Sequence, residues 1–119
     1  MKISEIVKLL DAEVITGKEN LGREVLSACG ADMMSDVLAF VKEQALLLTG
    51  LVNPQVVRTA EMMDIICIAI VRGKTPDKAV IDLAAEKNIV LLATRRRMFE
   101  ACGILYSNGI GAGKNAKEN

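Results

Sequence analysis

Histidine is absent from this 119-residue chain, and so is tryptophan. Without imidazole there is no His-assisted nucleophile, no imidazole metal ligand and no side chain whose ordinary pKa makes it a general base near neutral pH. Aromatics are scarce: Phe40, Phe99 and Tyr106 are all there are. A surface that stacks the bases of single-stranded nucleic acid needs more of them. An excess of one charge is missing too. Lys plus Arg number 15 and Asp plus Glu number 15, so no overall field draws the chain to DNA, RNA or an anionic membrane. No apolar run approaches the ~20 residues of a membrane span. Met1 opens directly into a charged amphipathic segment rather than an export signal, so the expected location is the cytoplasm, with reduced thiols. Cys29 and Cys102 are widely spaced and form no CxxC pair, so no zinc site is expected, and no other metal or cofactor.

What the chain does have is apolar rhythm. Four short runs, VLSAC (25–29), ALLLT (45–49), IICIAIV (65–71) and IVLLAT (89–94), alternate with stretches of helical spacing. Unbroken apolar runs are the mark of parallel strands buried on both faces, and the alternation is that of βα units. A further short strand is expected at EVIT (13–16), after an amphipathic helix over 3–11. Helices are expected over 36–44, from Pro54 to about Met63, from Pro76 to Asn88 and from about Arg96 to Asn108. Asp32 or Ser35 serves as the cap of the first of these, Asn53 as the cap of the second, with Thr75-Pro76 repeating its start signal. The expectation is one α/β domain over 1–110, with a mostly parallel sheet of four or five strands flanked by helices. Cys67 belongs to its central strand. The Gly-, Lys- and Asn-rich stretch 111–119 has nothing to bury and is expected to be a disordered tail. Within it, GIGAGKN (109–115) fails as a phosphate loop. Its glycine spacing is one short, Asn115 stands where Ser or Thr would hold Mg²⁺, and no helix follows.

Three groups of residues bear on chemistry. Thr49-Gly50 and Thr94-Arg95 fall at carboxyl ends of expected strands, each just before a helix. A Thr hydroxyl, a glycine backbone open to close approach and a helix start make an anion site, and Arg95 adds a bidentate contact. Equally, Thr ends the strand and Gly makes the turn. Asp32, Ser35 and Asp36 put two carboxylates around a hydroxyl, suited to Mg²⁺ or a ribose, or simply to helix capping. Arg95, Arg96 and Arg97 open the last helix against its macrodipole, which calls for a bound anion, an acidic partner or internal pairing. The small residues Ala101, Gly103 and Ser107 of that helix suit close contact with a second subunit or with its own sheet.

Five pieces of the chain carry a family resemblance. They are MKISEIVKLLDAEVITG, the Gly-Arg-Glu-Val segment at 22–25, GADMMSD at 30–36, LLLTG with Asn53-Pro54, and IICIAIVRGKTPD followed by NIVLLATRRRMFEACGILYSNGI. Over Met1–Ile110 the chain resembles the short DRTGG-domain proteins and is similar to the amino-terminal domain of HPr kinase/phosphorylase. The eponymous Asp-Arg-Thr-Gly-Gly string is not present as such; Thr49-Gly50 and Thr94-Arg95 are its nearest pieces. The phosphate-binding loop of the kinase half is also missing from this sequence. The resemblance therefore implies a non-catalytic regulatory or assembly module, of the kind found beside CBS-domain pyrophosphatases and phosphotransacetylases.

The resulting expectation is a module without catalytic residues that binds an anionic small molecule of nucleotide type, or a partner protein. Its ligand-binding residues are Asp32, Ser35, Asp36, Thr49, Gly50, Asn53, Thr94 and Arg95. A homo-oligomer, dimer or higher, is expected because a small aliphatic sheet domain leaves an edge or face to cover. The rival readings are a small phosphate- or nucleotide-handling enzyme using Asp32, Asp36, Thr49 and Arg95, and a pure protein–protein scaffold.

Overall fold

A computed structural model describes residues 1–39 and 44–111. Helix α1 (Ile3–Leu10) turns Ile3, Ile6 and Leu10 inward, and Glu5 accepts from the Lys2 N–H at 3.2 Å to close its first turn. Strand β1 (Glu13–Thr16) follows. Gly17 then takes a left-handed φ of 96°, and any Cβ there would lie 2.9 Å from the Val90 Cα, so only glycine fits. After a single 3₁₀ turn come β2 (Ser27–Gly30), the short α2 (Met34–Val37) and β3 (Ala45–Thr49). Then follow α3 (Pro54–Met62), β4 (Ile65–Ile70), α4 (Lys78–Glu86), β5 (Val90–Ala93) and α5 (Met98–Ser107).

The five strands form one sheet in the order β1-β5-β4-β3-β2. Strands β2 to β5 are parallel, and β1 closes the β5 side antiparallel. The expected mostly parallel α/β fold is therefore the observed one. Every residue of β3 and β4 is buried, as the unbroken apolar runs require. Because the strands step across the sheet in one direction, right-handed crossovers deliver α2, α3 and α4 to one face. There Val37, Val56, Val57, Val80 and Ala84 pack on Leu47, Ile68 and Leu91. The other face is covered by α1 and α5, whose Ile6, Leu10, Ala101 and Leu105 pack on Leu46, Leu48 and Leu92.

The structure corrects several boundaries. Strand β2 starts two residues later than expected, because Val25 donates to the Met1 carbonyl at 2.7 Å and Glu24 bridges to Lys2, so these residues pair with the amino-terminal segment instead of β3. The helix expected over 36–44 is a single turn, Met34–Val37. Its cap is Met33, with no side-chain bond, so neither Asp32 nor Ser35 caps it. Residues 40–43 of that expectation lie outside the described residues. Helix α4 starts two residues after Pro76, because Asp77 accepts from the Val80 N–H at 3.2 Å. Helix α5 starts after the arginines, with Arg97 as its cap. Of the expected tail, residues 112–119 lie outside the described residues, while the Gly111 carbonyl accepts from the Ala28 N–H at 3.0 Å on the open edge of β2. Among the described residues, no helix is long and apolar enough to cross a membrane.

Cys67 is fully buried in β4, and burial pushes its thiol pKa far up. Replacing it with serine puts a hydroxyl among aliphatic side chains. Cys67→Ser is expected to lower stability by about 1–3 kcal/mol in urea denaturation. In the native parent, Cys67 should stay unlabelled by a thiol reagent at pH 8, and rapid labelling would contradict its placement.

Candidate functional site

The carboxyl ends of the four parallel strands share one rim. The ladder runs on past the strands: Val71 donates to the Thr49 carbonyl at 3.0 Å, Thr94 to Ile70 at 2.9 Å, and Ala31 to Leu48 at 3.0 Å. At the β4–β5 boundary the connections part. The loop after β4 goes to α4 on one face, and the loop after β5 goes to α5 on the other. Two loops that diverge from adjacent parallel strands leave a crevice at their ends, the place where open α/β sheets take ligands. Two adjoining cavities occupy it. One, of about 340 Å³, is bordered by Glu13, Gly73 and Lys74, the other, of about 300 Å³, by Leu10, Arg96 and Glu100, and Asp11, Thr94 and Arg95 border both.

Thr49, Gly50 and Asp32 are brought together. One Asp32 carboxylate oxygen accepts from the Gly50 N–H at 2.7 Å and from the Thr49 hydroxyl at 3.2 Å. The Thr49 oxygen in turn accepts from the Leu51 N–H at 3.1 Å. Asp32 thus fastens the β2 loop to the end of β3. Thr94 stands two strands away, on the far side of β4 and roughly 10 Å off. Its buried hydroxyl donates to the Leu10 carbonyl at 2.7 Å and accepts from the Arg96 N–H at 3.2 Å. Asn53 accepts from the Val56 N–H at 3.3 Å and caps α3. Ser35 and Asp36 are exposed on α2, and neither bonds to the Thr49–Gly50 pair. Among the described residues, no group of three His, Cys, Asp or Glu side chains is placed to hold a metal ion.

The arginine cluster divides. Arg96 pairs with Glu100 at 2.7 Å, so the charge that offsets it comes from the first turn of α5 itself. Arg95 is exposed in the crevice, and Arg97 is exposed at the helix cap. Among the described residues neither makes an ion pair, and the same holds for Arg72 and Lys74.

Arg72 is the residue that sequence reasoning missed. It lies two residues after β4 in the left-handed region at φ 67°, followed by Gly73 at φ 70°. A long side chain there costs about 1–2 kcal/mol, so the surroundings must hold it. They do: the Arg72 N–H donates to the Arg96 carbonyl at 2.8 Å and the Gly73 N–H to the Thr94 carbonyl at 2.9 Å. This turn lays the Arg72 guanidinium over Gly50, so close that a Cβ at Gly50 would overlap it. Glycine at position 50 thus keeps open the ground on which the guanidinium rests. The signal in the sequence was Arg-Gly directly after a buried strand, which reads equally as a plain turn.

Cys29 and Cys102 also lie near this end of the sheet. Burial pushes Cys29 up to about 11, helped by Cys102 and Asp36, and burial raises Cys102. Both are therefore protonated near neutral pH and are poor nucleophiles there.

The comparisons with known proteins fit this description. The family model of the DRTGG domain matches residues 5–107. No curated protein matches the chain in sequence. Among solved structures, the fold is similar to the CBS and DRTGG domains of the regulatory region of the Clostridium perfringens pyrophosphatase. That structure is complexed with its activator, diadenosine tetraphosphate. The TM-score is 0.70 at 21% identity, covering 87% of this chain and 45% of that one. The chain thus spans less than half the length of that structure.

The two carboxylates of the β2–α2 region differ in what they hold. Asp32→Ala removes two part-buried hydrogen bonds to the end of β3, although Asp32 itself is exposed, and is expected to cost about 1–3 kcal/mol. Asp36→Ala, on an exposed helix turn, should stay within about 0.5 kcal/mol of the parent. Thermal denaturation of both variants checks this, and equal losses would mean that Asp32 does not tether the β3 end.

Proposed function

This chain belongs to the DRTGG-domain family, and from that premise we propose that it is a regulatory module that binds an anionic ligand of the nucleotide type. The site is the carboxyl rim of β3, β4 and β5. The observation that carries this reading is Arg72, exposed, without an ion pair among the described residues, and set by a left-handed turn over Gly50. Arginine in this setting offers a planar fork of N–H donors that matches a phosphate. Arg95 and Lys74 border the adjoining crevice together with Gly73, again unpaired among the described residues. Two carboxylates, Asp11 and Glu13, border the same crevice. They disfavour a bare polyanion and favour a ligand with donors of its own, such as the ribose and base of a nucleotide. The Clostridium perfringens regulatory region, crystallised with diadenosine tetraphosphate, supports a ligand of this class.

Of the residues expected to bind ligand, Arg95 keeps that role here, while the Gly50 N–H is taken by Asp32 and its open face by Arg72. Thr49, Asp32 and Thr94 shape the rim through their hydrogen bonds, and Asn53 holds the start of α3. The reading includes no catalytic step. A sensor of this kind acts through ligand-dependent stability and contacts. The domain would span residues 1–110 and act in the cytoplasm.

Isothermal titration of the full chain with diadenosine tetraphosphate, ATP, AMP and pyrophosphate tests the proposal. At least one nucleotide should bind, and Arg72→Ala should weaken it by about 1.5–3 kcal/mol, roughly ten- to a hundredfold. Arg95→Ala should weaken it too, whereas Lys78→Ala, outside the rim, should not. If none of the four binds, or if Arg72→Ala binds as the parent does, the rim is not the ligand site.

A further inference from the structure

We propose that α5 forms the interface of a two-fold homodimer, packed antiparallel against α5 of a second copy, with Phe99 of each copy seated on the partner's Tyr106. This interface is separate from the anion rim and does not depend on it.

The helix is apolar nearly all the way round. Ala101 and Leu105 are buried against the sheet, yet Phe99 is 91% exposed and Tyr106 is 75% exposed. These two lie seven residues apart, on one face, with Cys102 and Gly103 between them at three and four residues from Phe99. That is the spacing of a coiled-coil seam, and here it points away from the core. A helix with one face on its own sheet and a second apolar seam outside has two surfaces to bury.

The seam is self-complementary. A two-fold axis passing between Cys102 and Gly103 places residues 99 and 106 opposite each other, because both stand equally far from it. Each ring then meets a ring, twice over, and the thiol of one copy faces the glycine of the other. Gly103 has open space around it: a Cβ there would meet nothing within 4 Å. It is therefore not needed for packing within the chain, but it lets two helix backbones come close. Beside Tyr106 lies a small apolar cavity of about 90 Å³, walled by Gly30, Leu48, Cys102, Leu105 and Ile110. The antiparallel pairing brings the partner's Phe99 to its mouth.

The area suits a second copy of this chain. Four rings of this exposure bury on the order of 600 Å², about half of the ~1,200 Å² at the lower end of stable interfaces. The notch at Cys102–Gly103 and the flanks of both helices add to it. Glu100 and Ser107 border the seam as a polar rim.

Sedimentation equilibrium of the full chain from micromolar to millimolar concentration tests this. The expected mass is twice the 12.8 kDa of one chain. Phe99→Glu puts a charge on the seam, and Gly103→Leu fills its notch. Each should raise the dimer dissociation constant roughly a hundredfold or more. Circular dichroism should match the parent, since both positions are open to solvent in the single chain. Should Phe99→Glu fail to fold, Gly103→Leu decides alone. The doubly substituted Phe99→Cys/Tyr106→Cys chain should form an interchain disulfide on mild oxidation, and Phe99→Cys alone should not. A monomeric parent overturns the proposal, as does a dimer that Gly103→Leu leaves intact. Cross-linking by Phe99→Cys alone overturns the antiparallel register.

Discussion

The hydroxyl of Thr94 joins the end of α1, the end of β5 and the turn into α5. It donates to the Leu10 carbonyl at 2.7 Å and accepts from the Arg96 N–H at 3.2 Å, both away from bulk solvent. Leu10 is the last residue of α1, and its carbonyl is one of those that a helix end leaves without a partner. Buried, such a group costs about 1–3 kcal/mol unless it is met. Thr94 meets it from 84 positions away in the chain. Its own carbonyl receives the Gly73 N–H, which hooks the β4 loop to the β5 loop. The rim over β4 and β5 is thus built from Thr94 and the Arg72–Gly73 turn, each of which positions the other.

That mutual support explains how an arginine is kept in a left-handed backbone. Of the five non-glycine residues with positive φ among the described residues, three are Asp or Asn, which tolerate the region through short polar side chains. Arg72 has no such excuse. The two N–H bonds of its turn hold it, and its side chain lies on Gly50, where no Cβ blocks it. On the β3 side Asp32 does the matching work by anchoring the Gly50 N–H. The cation is therefore placed by backbone geometry after β4 and by an empty space at the end of β3, and among the described residues it makes no ion pair.

How much of this was legible in the sequence follows from the same physics. Strands β3, β4 and β5 were readable to within a residue at each end, because burial on both faces leaves an unbroken apolar run. Strand β2 was misplaced by two residues because Val25 is just as apolar but pairs with Met1. Helix starts were readable where a single residue settles them, as Asn53 does for α3. They were not where two candidates compete: Pro76 lost to Asp77 because only Asp77 supplies an acceptor to the Val80 N–H. The rim was half legible. Thr49, Gly50 and Thr94 were identifiable as strand ends, and Asp32 as a residue near them. Strand order, which sets β4 between Thr49 and Thr94, is a long-range property with no local mark. The left-handed turn at Arg72 leaves only the pair Arg-Gly as its trace, so the one arginine that lies over the glycine stayed hidden behind the more conspicuous run at 95–97.

The scarcity of aromatics sharpens the reading of α5. The described core is built of Ile, Leu, Val and Ala, with Cys29, Cys67 and Met63, and needs no ring. Packed against the sheet, α5 uses Ala101 and Leu105 on the side that faces β3 and α1. A small residue at 101 lets the helix lie close, and a ring there would lift it off. Phe99 and Tyr106 cannot be reached by the sheet from the opposite side of the helix. Leaving a phenyl ring in water forgoes about 1.5–3 kcal/mol relative to burying it. In a protein whose described core holds no aromatic ring, two rings on one seam, spaced by two helical turns around a glycine, are best understood by the surface they match. That surface is the same seam turned through a half rotation.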